Sequence, residues 1–390
     1  MKGERGRRRA DPANGSLERL RARIDELDGE ILRRLGERYR VVAEIQAVKQ
    51  TTGDGVYVPK RERAQLARLA QLNRTGKDPI PPGAVEAIFG EILSASRALQ
   101  APVTVAYLGP AGTYSEAAGR AHFGSAAQLV AVESIAEVFR AVERGTARFG
   151  IAPIENSTEG MVGQTLDLLI STPIAIVGER ELQVRHALMG HARSLDRVRR
   201  IVSHPQSLAQ CREWLARNAP GIPTAAVSSN AAAAAAAAKS RTTAAIAGRE
   251  AAERYGLPIL ADGIQDLPRN VTRFVVLGPP PAEPAGDKIS VVFAVKNEAG
   301  RLFKSLEPLA AHAIDLCKIE SRPMRGRSWE YVFFVDFRGD PEDPRVRRAM
   351  KVMERQCTFF KVLGSYPVAA QPSAPRPAKG PRAGRSAAPA

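Results

Sequence analysis

Cysteine is scarce in this chain. Cys211, Cys317 and Cys357 are its three cysteines, too few and too scattered for a disulfide framework or a zinc site. They fit a reducing compartment, the cytoplasm. Long apolar runs are absent as well: none approaches the ~20 residues needed to span a bilayer, so no membrane partner is expected. The first residues, MKGERGRRRA, are basic with no apolar core behind them, which excludes a secretory signal. No aromatic-basic motif supports a nucleic-acid partner. No motif for a metal or an organic cofactor is found, so none is expected.

What remains is ordinary soluble composition over 390 residues, 44% hydrophobic and 25% charged, a length that suits two or three domains. The formal charge of +16 is unevenly spread. Within residues 1–10, Lys2, Arg5, Arg7, Arg8 and Arg9 stand against Glu4 alone, and within 371–390 Arg376, Lys379, Arg382 and Arg385 stand without acids. Each end thus holds a net of +4 in a Pro/Ala/Gly/Arg-rich setting that reads as disordered. The other half of the excess lies in the folded part, where it attracts small polyanionic substrates.

Between the tails (1–15 and 369–390) three segments differ in grammar. Residues 16–101 show no alternation and read as all-helical. Residues 102–279 alternate short β-branched runs (VTVAYLG, FGIAPIE, IAIVGE, RRIVSH, AAIAG, RFVVLG) with helical stretches, an α/β pattern. The alanine run at 231–238 is helix by propensity. After a Pro-rich linker, 280–287, residues 288–368 read strand, helix, strand, strand, helix, strand, an α+β ferredoxin-like order.

In the first segment Ser16 is a good N-cap and Glu18 suits the first turn. Leu17, Leu20, Ile24, Leu27, Ile31, Leu35, Val42, Ile45 and Val48 then recur every three or four residues. A helix of about 35 residues is about 52 Å long, more than one small domain can cover, so a partner chain is expected along the stripe. Arg38 and Lys49, eleven residues apart, face nearly the same way at about 100° per residue, whereas Arg21 points elsewhere. Charges on an apolar seam are costly unless paired. Two readings fit: pairing with Glu37, Glu44 or Glu62, or a ligand site.

A second helix follows Pro59, and a third covers 83–100. The segment resembles the all-helical chorismate mutases, through LRARIDELDGEILRRLGER, AVKQ, PKRERAQ and the terminal Ser96 and Gln100. The resemblance implies an intertwined homodimer or higher homo-oligomer, with chorismate held by Arg38, by the partner's copy of Arg21, and by Arg61 and Ser96. It implies that Lys49 and Gln100 donate to the ether oxygen and that Glu62 binds the ring hydroxyl. Relatives with an acid where this chain has Val58 gain a hydroxyl contact that is missing here. The chemistry needs no nucleophile, only fixed cations and donors that hold a dicarboxylate compact and stabilise developing charge.

In the second segment, four polar turns follow strands: GPAGTYSEAA, PIENSTEG, SHPQSLAQC and NVTRF. Each alone is explained by a turn or a cap, and the first also fits an anion site at a helix N-terminus. Together, in this order, they resemble prephenate dehydratase. The resemblance implies a two-lobed fold like a periplasmic binding protein, with prephenate in the interlobe cleft. Thr272 is then the principal catalytic residue, and Glu155, Asn156, Ser203 and Gln210 line the site, with Thr113 and Ser115 helping to hold substrate. Glu155 is the second candidate acid if burial raises its pKa. Arg273 either orients a substrate carboxylate or forms a structural pair in the hinge. His204 is read as structural and Cys211 as buried and inert.

The third segment resembles the ACT domain, which binds amino acids at domain interfaces. Asn297, Gly300 and Leu302 stand at its first strand–helix turn, and Glu320, Ser321 and Arg322 in ESRP end its second strand. The resemblance implies L-phenylalanine as allosteric effector, although Arg301 stands where relatives carry a different first-turn pattern. The whole reads as a bifunctional enzyme of phenylalanine biosynthesis, mutase then dehydratase. Two alternatives are a dehydratase with a helical dimerisation arm and a weak mutase, and a non-catalytic solute-binding or regulatory protein.

Overall fold

The computed structural model describes residues 12–52, 57, 59–281, 286–323 and 331–369. Most of the two expected tails, the centre of the linker and Val58 lie outside the described residues.

Three helices come first: α1 (Pro12–Thr52), α2 (Pro59–Thr75) and α3 (Pro82–Gln100). The first starts a turn before the expected cap Ser16, at a proline whose fixed φ suits the first helical position. Its apolar stripe is uncovered through its N-terminal half: Leu20 is 62% exposed, Ile24 55% and Ile31 57%. Only near Val42 does α1 pack against α3, which buries Val85 and Leu93.

A two-lobed α/β module follows. Its first lobe comprises β1 (Thr104–Leu108), α4 (Tyr114–Phe123), β2 (Gln128–Val132), α5 (Ile135–Glu143), β3 (Phe149–Asn156), β4 (Gly160–Met161), α6 (Gly163–Ser171) and β5 (Ala175–Gln183). The second lobe holds β6 (Ala187–Met189), β7 (Arg200–Ser203), α7 (Pro205–Gln210), α8 (Arg212–Asn218), β8 (Thr224–Ala226), α9 (Asn230–Ala238), β9 (Thr243–Ala247), α10 (Arg249–Tyr255) and β10 (Ile259–Asp262). The chain then returns to the first lobe as β11 (Val271–Gly278). Strand order is β2-β1-β3-β11-β5 in one sheet and β10-β6-β9-β7-β8 in the other. Strand β11 runs antiparallel between β3 and β5 and pairs Thr272 with Asn156. Two crossings, near 184–186 and 263–270, join the lobes. The alanine run is α9, whose small side chains let it lie close on β7 and β9.

The last module is β12 (Lys288–Ala294), α11 (Arg301–Ala311), β13 (Leu316–Pro323), β14 (Tyr331–Arg338), α12 (Pro344–Gln356) and β15 (Phe359–Tyr366), an antiparallel sheet ordered β13-β14-β12-β15. It shares one core with the first lobe: Val292, Phe334, Leu363 and Tyr366 pack with Leu166, Leu169, Ile176 and Val275. At Gly364 a Cβ would lie 2.0 Å from the Ile176 carbonyl oxygen, so the backbones meet where only glycine fits. This module grips α6 at both ends. Lys361 Nζ donates to the terminal carbonyls of Leu169, Ile170 and Thr172 at 2.8, 3.1 and 2.5 Å. Arg322 pairs with Asp167 at 3.3 Å, against Gly163.

Candidate active sites

Two cavities gather the residues singled out in the sequence. The first lies among α1, α2 and α3, encloses about 100 Å³, and is lined by Arg38, Lys49, Arg61, Glu62, Ser96 and Gln100 among others. Six of the expected residues thus converge from three helices. Arg38 donates to Ser96 Oγ, and Gln46 Nε2 to the Gln100 carbonyl at 2.6 Å. The amide oxygen of Gln100 is buried without a hydrogen-bond partner among the described residues. Glu62 pairs with Arg97 at 2.5 Å, a buried arginine that the sequence reading passed over. Arg21 is exposed on the uncovered half of α1 and does not line this cavity.

The second cavity is the cleft between the lobes, about 690 Å³. Thr113, Ser115, Asn156 and Thr272 line it, as expected from sequence. Thr272 Oγ1 accepts a hydrogen bond from Asn156 Nδ2 at 2.9 Å, and that amide also donates to Asn270 Oδ1 at 2.9 Å. The N-terminus of α4 opens into the cleft from one lobe at Thr113–Ser115, and that of α9 from the other at Ser228, Ser229 and Asn230. Both present free N–H groups and the positive end of a helix dipole, an arrangement suited to a dicarboxylate. Ser228–Asn230 were missed, although Ser-Ser-Asn before an alanine run is a helix-start signature.

The other four expected residues face elsewhere. Glu155 and Arg273 each follow or precede a cleft residue on a strand, and successive strand residues point to opposite faces. Glu155 is held by Lys318 of the C-terminal sheet. Arg273, 7% exposed, is committed to Glu179 at 2.8 Å and Asp336 at 2.7 Å, with Lys288 2.9 Å from Glu179. Its pairs lie at the seam with the C-terminal sheet, not in the hinge, and it does not line the cleft. Ser203 is fully buried and donates to the Ile246 carbonyl at 2.6 Å beside Asn230. Gln210 accepts from Asn270 Nδ2 at 2.9 Å and meets His186 Nε2 at 2.9 Å, which puts it in the hinge. His204 Nδ1 accepts from the Gln206 N–H, a cap on α7, although the residue also borders the cleft. Cys211 is buried, and burial pushes its thiol up to about 12.

In the C-terminal sheet, Gly300 caps α11 with φ +76°. Asn297 and Ser321 are exposed, Leu302, Glu320 and Arg322 half-buried. Strand β14 lies between the two groups, so within one chain they do not meet. Among the described residues no group of three His, Cys, Asp or Glu could hold a metal ion, and no helix is long and apolar enough to cross a membrane.

Comparison with known proteins gives two family matches: chorismate mutase type II over residues 20–101 and prephenate dehydratase over 105–282. A bifunctional chorismate mutase/prephenate dehydratase from Stutzerimonas stutzeri is 43% identical over 360 residues, covering 90% of this chain and 98% of the relative. The chain belongs to this bifunctional family. It is an enzyme with a mutase module and a dehydratase module, in phenylalanine biosynthesis. Among solved structures, a prephenate dehydratase from Arthrobacter aurescens in complex with L-Phe aligns at 33% identity and a TM-score of 0.63, covering 68% of this chain and 90% of that one. A quorum-quenching acylase, GqqA, aligns at 30% identity with the same TM-score, over 69% of this chain and 98% of its own.

Proposed function

We propose that this chain rearranges chorismate to prephenate in the α1–α3 pocket and converts prephenate to phenylpyruvate in the interlobe cleft, under feedback inhibition by L-phenylalanine. The observation that carries the reading is the Asn156–Thr272 hydrogen bond inside a cleft flanked by two helix N-termini. Because the Asn156 amide donates to Thr272 Oγ1, the threonine keeps its own proton to donate. Prephenate loses carbon dioxide and its ring hydroxyl together; the electron pair of the breaking C–C bond flows into the ring as the C–O bond breaks. A fixed donor against the departing oxygen stabilises the charge that develops there. The helix termini hold the carboxylates in place meanwhile.

In the mutase pocket Arg38, Lys49, Arg61, Ser96 and Gln100 supply cations and donors, and Glu62 an acceptor for the ring hydroxyl. Arg21 serves a second copy: the uncovered stripe on α1 is where that copy packs, and its Arg21 completes the site. The C-terminal sheet is an ACT domain of ferredoxin-like order. Phenylalanine bound at Asn297, Gly300, Leu302 and Glu320–Arg322 of paired sheets biases the dehydratase towards a less competent state. The L-Phe complex of the Arthrobacter aurescens dehydratase supports this effector. A cytoplasmic location fits the three free cysteines.

The acylase likeness covers the dehydratase scaffold, and a shared scaffold does not fix chemistry; the NVTRF strand argues for dehydration. The test is phenylpyruvate formation by full-length protein from chorismate and from prephenate, with and without phenylalanine. Product from both, suppressed by phenylalanine, is expected. Thr272→Ala should lower dehydratase turnover by about 10²- to 10⁴-fold, the usual worth of a positioned proton donor, and leave the mutase intact. Unchanged phenylpyruvate formation in that variant removes Thr272 from the reaction.

A further inference from the structure

Helix α3 serves two modules. Leu93, Ser96, Arg97 and Gln100 line the mutase pocket, Arg97 at its edge toward the dehydratase. Glu91, Ser94 and Arg97, spaced three apart and so on a neighbouring face, meet the turn after α4 in the dehydratase. Glu91 accepts from the Ser125 N–H at 3.1 Å, and Ser94 Oγ from the Ala126 N–H at 3.2 Å. Gly124, at φ +78°, lies so close that a Cβ there would stand 2.4 Å from Ser94 Cβ.

Arg97 does most to join them. It is 5% exposed; Nη1 donates to Glu62 at 2.5 Å, and Nη2 donates to the Phe123 carbonyl at 2.6 Å. Its guanidinium carbon lies 5.5 Å from the centre of the Tyr57 ring, whose hydroxyl is 2.6 Å from His122 Nε2 in the dehydratase. The planar fork of an arginine satisfies two acceptors at fixed angles, which the single ammonium of a lysine does not.

We propose that Arg97 is a positioning residue for the mutase reaction: anchored on the dehydratase backbone at Phe123, it fixes the Glu62 carboxylate in the mutase pocket. The mutase site is thereby completed by the neighbouring module. The inference rests on the reading of the α1–α3 pocket as the mutase site.

The experiment measures both activities in full-length Arg97→Gln, Arg97→Lys, Glu62→Gln and the Arg97→Gln/Glu62→Gln double variant. A lost acceptor for the ring hydroxyl weakens binding in ground and transition states alike. The mutase KM for chorismate should therefore rise about 10- to 100-fold in Arg97→Gln, with kcat little changed. Arg97→Lys should recover part of the loss. The double variant should be no worse than Glu62→Gln, because the arginine acts through that carboxylate. Dehydratase kinetics in the same samples should stay within about twofold, which also reports an intact fold. Gly124→Ala, a change on the dehydratase side, should raise the mutase KM too.

An unchanged KM in Arg97→Gln beside a raised one in Glu62→Gln overturns this proposal alone. An unchanged KM in Glu62→Gln overturns the pocket reading and the proposal together. Independent, multiplying losses in the double variant, or loss of both activities in both Arg97 variants, make Arg97 merely structural.

Discussion

His122 sits at the end of α4, ringed by Tyr57, Phe123 and the mutase face of the dehydratase. Burial, with Arg180 and Arg97 nearby, lowers its pKa to about 3, so the folded protein keeps it neutral. An unfolded chain protonates a histidine near 6.5. Between those two values the unfolded state binds the extra proton, and stability falls as pH falls from about 6.5 towards 3. By pH 4 the loss from this one residue is on the order of 3 kcal/mol. His122→Gln keeps an acceptor for Tyr57 and removes the titration. Urea midpoints at pH 7 and pH 4.5 should therefore converge in the variant relative to the parent; equal pH dependence in both would contradict the assignment. At the same scale, strand parity explains which site residues were legible. Thr272 and Asn156 could be read from their motifs, and alternation alone forbade Arg273 and Glu155 from sharing their face. The motif named all four because a motif carries no direction. Arg97 carried no signal at all: its partners, Glu62 and Phe123, are distant in sequence and meet only through the docking of two modules.

Elements divide by length. The long helices α1, α2 and α3 announced themselves through sustained periodicity. Strands β2, β4, β6, β8 and β10 were not read from the sequence; β6 and β8 are short and alanine-rich and carry neither alternation nor β-branched enrichment, whereas the four-residue β7 stood out through the β-branched pair in RRIVSH. Their pairing is supplied by the sheet. The uncovered stripe of α1 makes a further prediction. Ile24→Glu places a charge in the middle of the surface assigned to the second copy. Sedimentation should show a shift towards monomer, and mutase kcat/KM should fall at least about tenfold, since a buried unpaired charge costs several kcal/mol. Dehydratase turnover from prephenate should fall far less. An unchanged oligomer would mean that α1 is covered by something else.

At the scale of the molecule, the charges at the seam between the first lobe and the C-terminal sheet balance in place. Arg273 and Lys288 face Glu179 and Asp336, and Ser290 and the Tyr366 hydroxyl add hydrogen bonds beside them. Asp336→Leu strands one cation, at a cost of about 3–5 kcal/mol, to be read as a lower denaturant midpoint. Adding Lys288→Met restores the balance and should return part of the loss; a further drop instead would refute the pairing. The order of modules was legible in the sequence, but this seam was not, since its four charges come from β5, β11, β12 and β14.

The same seam decides what can move. Where Gly364 meets Ile176, backbone rests on backbone, and the shared core leaves no plane along which the C-terminal sheet can slide over the first lobe. In mechanical terms the sheet and the first lobe are a single frame, and the second lobe is a leaf hung on it by two straps. A motion between the lobes would carry the second lobe against this frame, about the crossings near 184–186 and 263–270. Distance probes on the C-terminal sheet and the first lobe should hold their separation through every state of the enzyme, while a probe on α9 reports how far the leaf stands open.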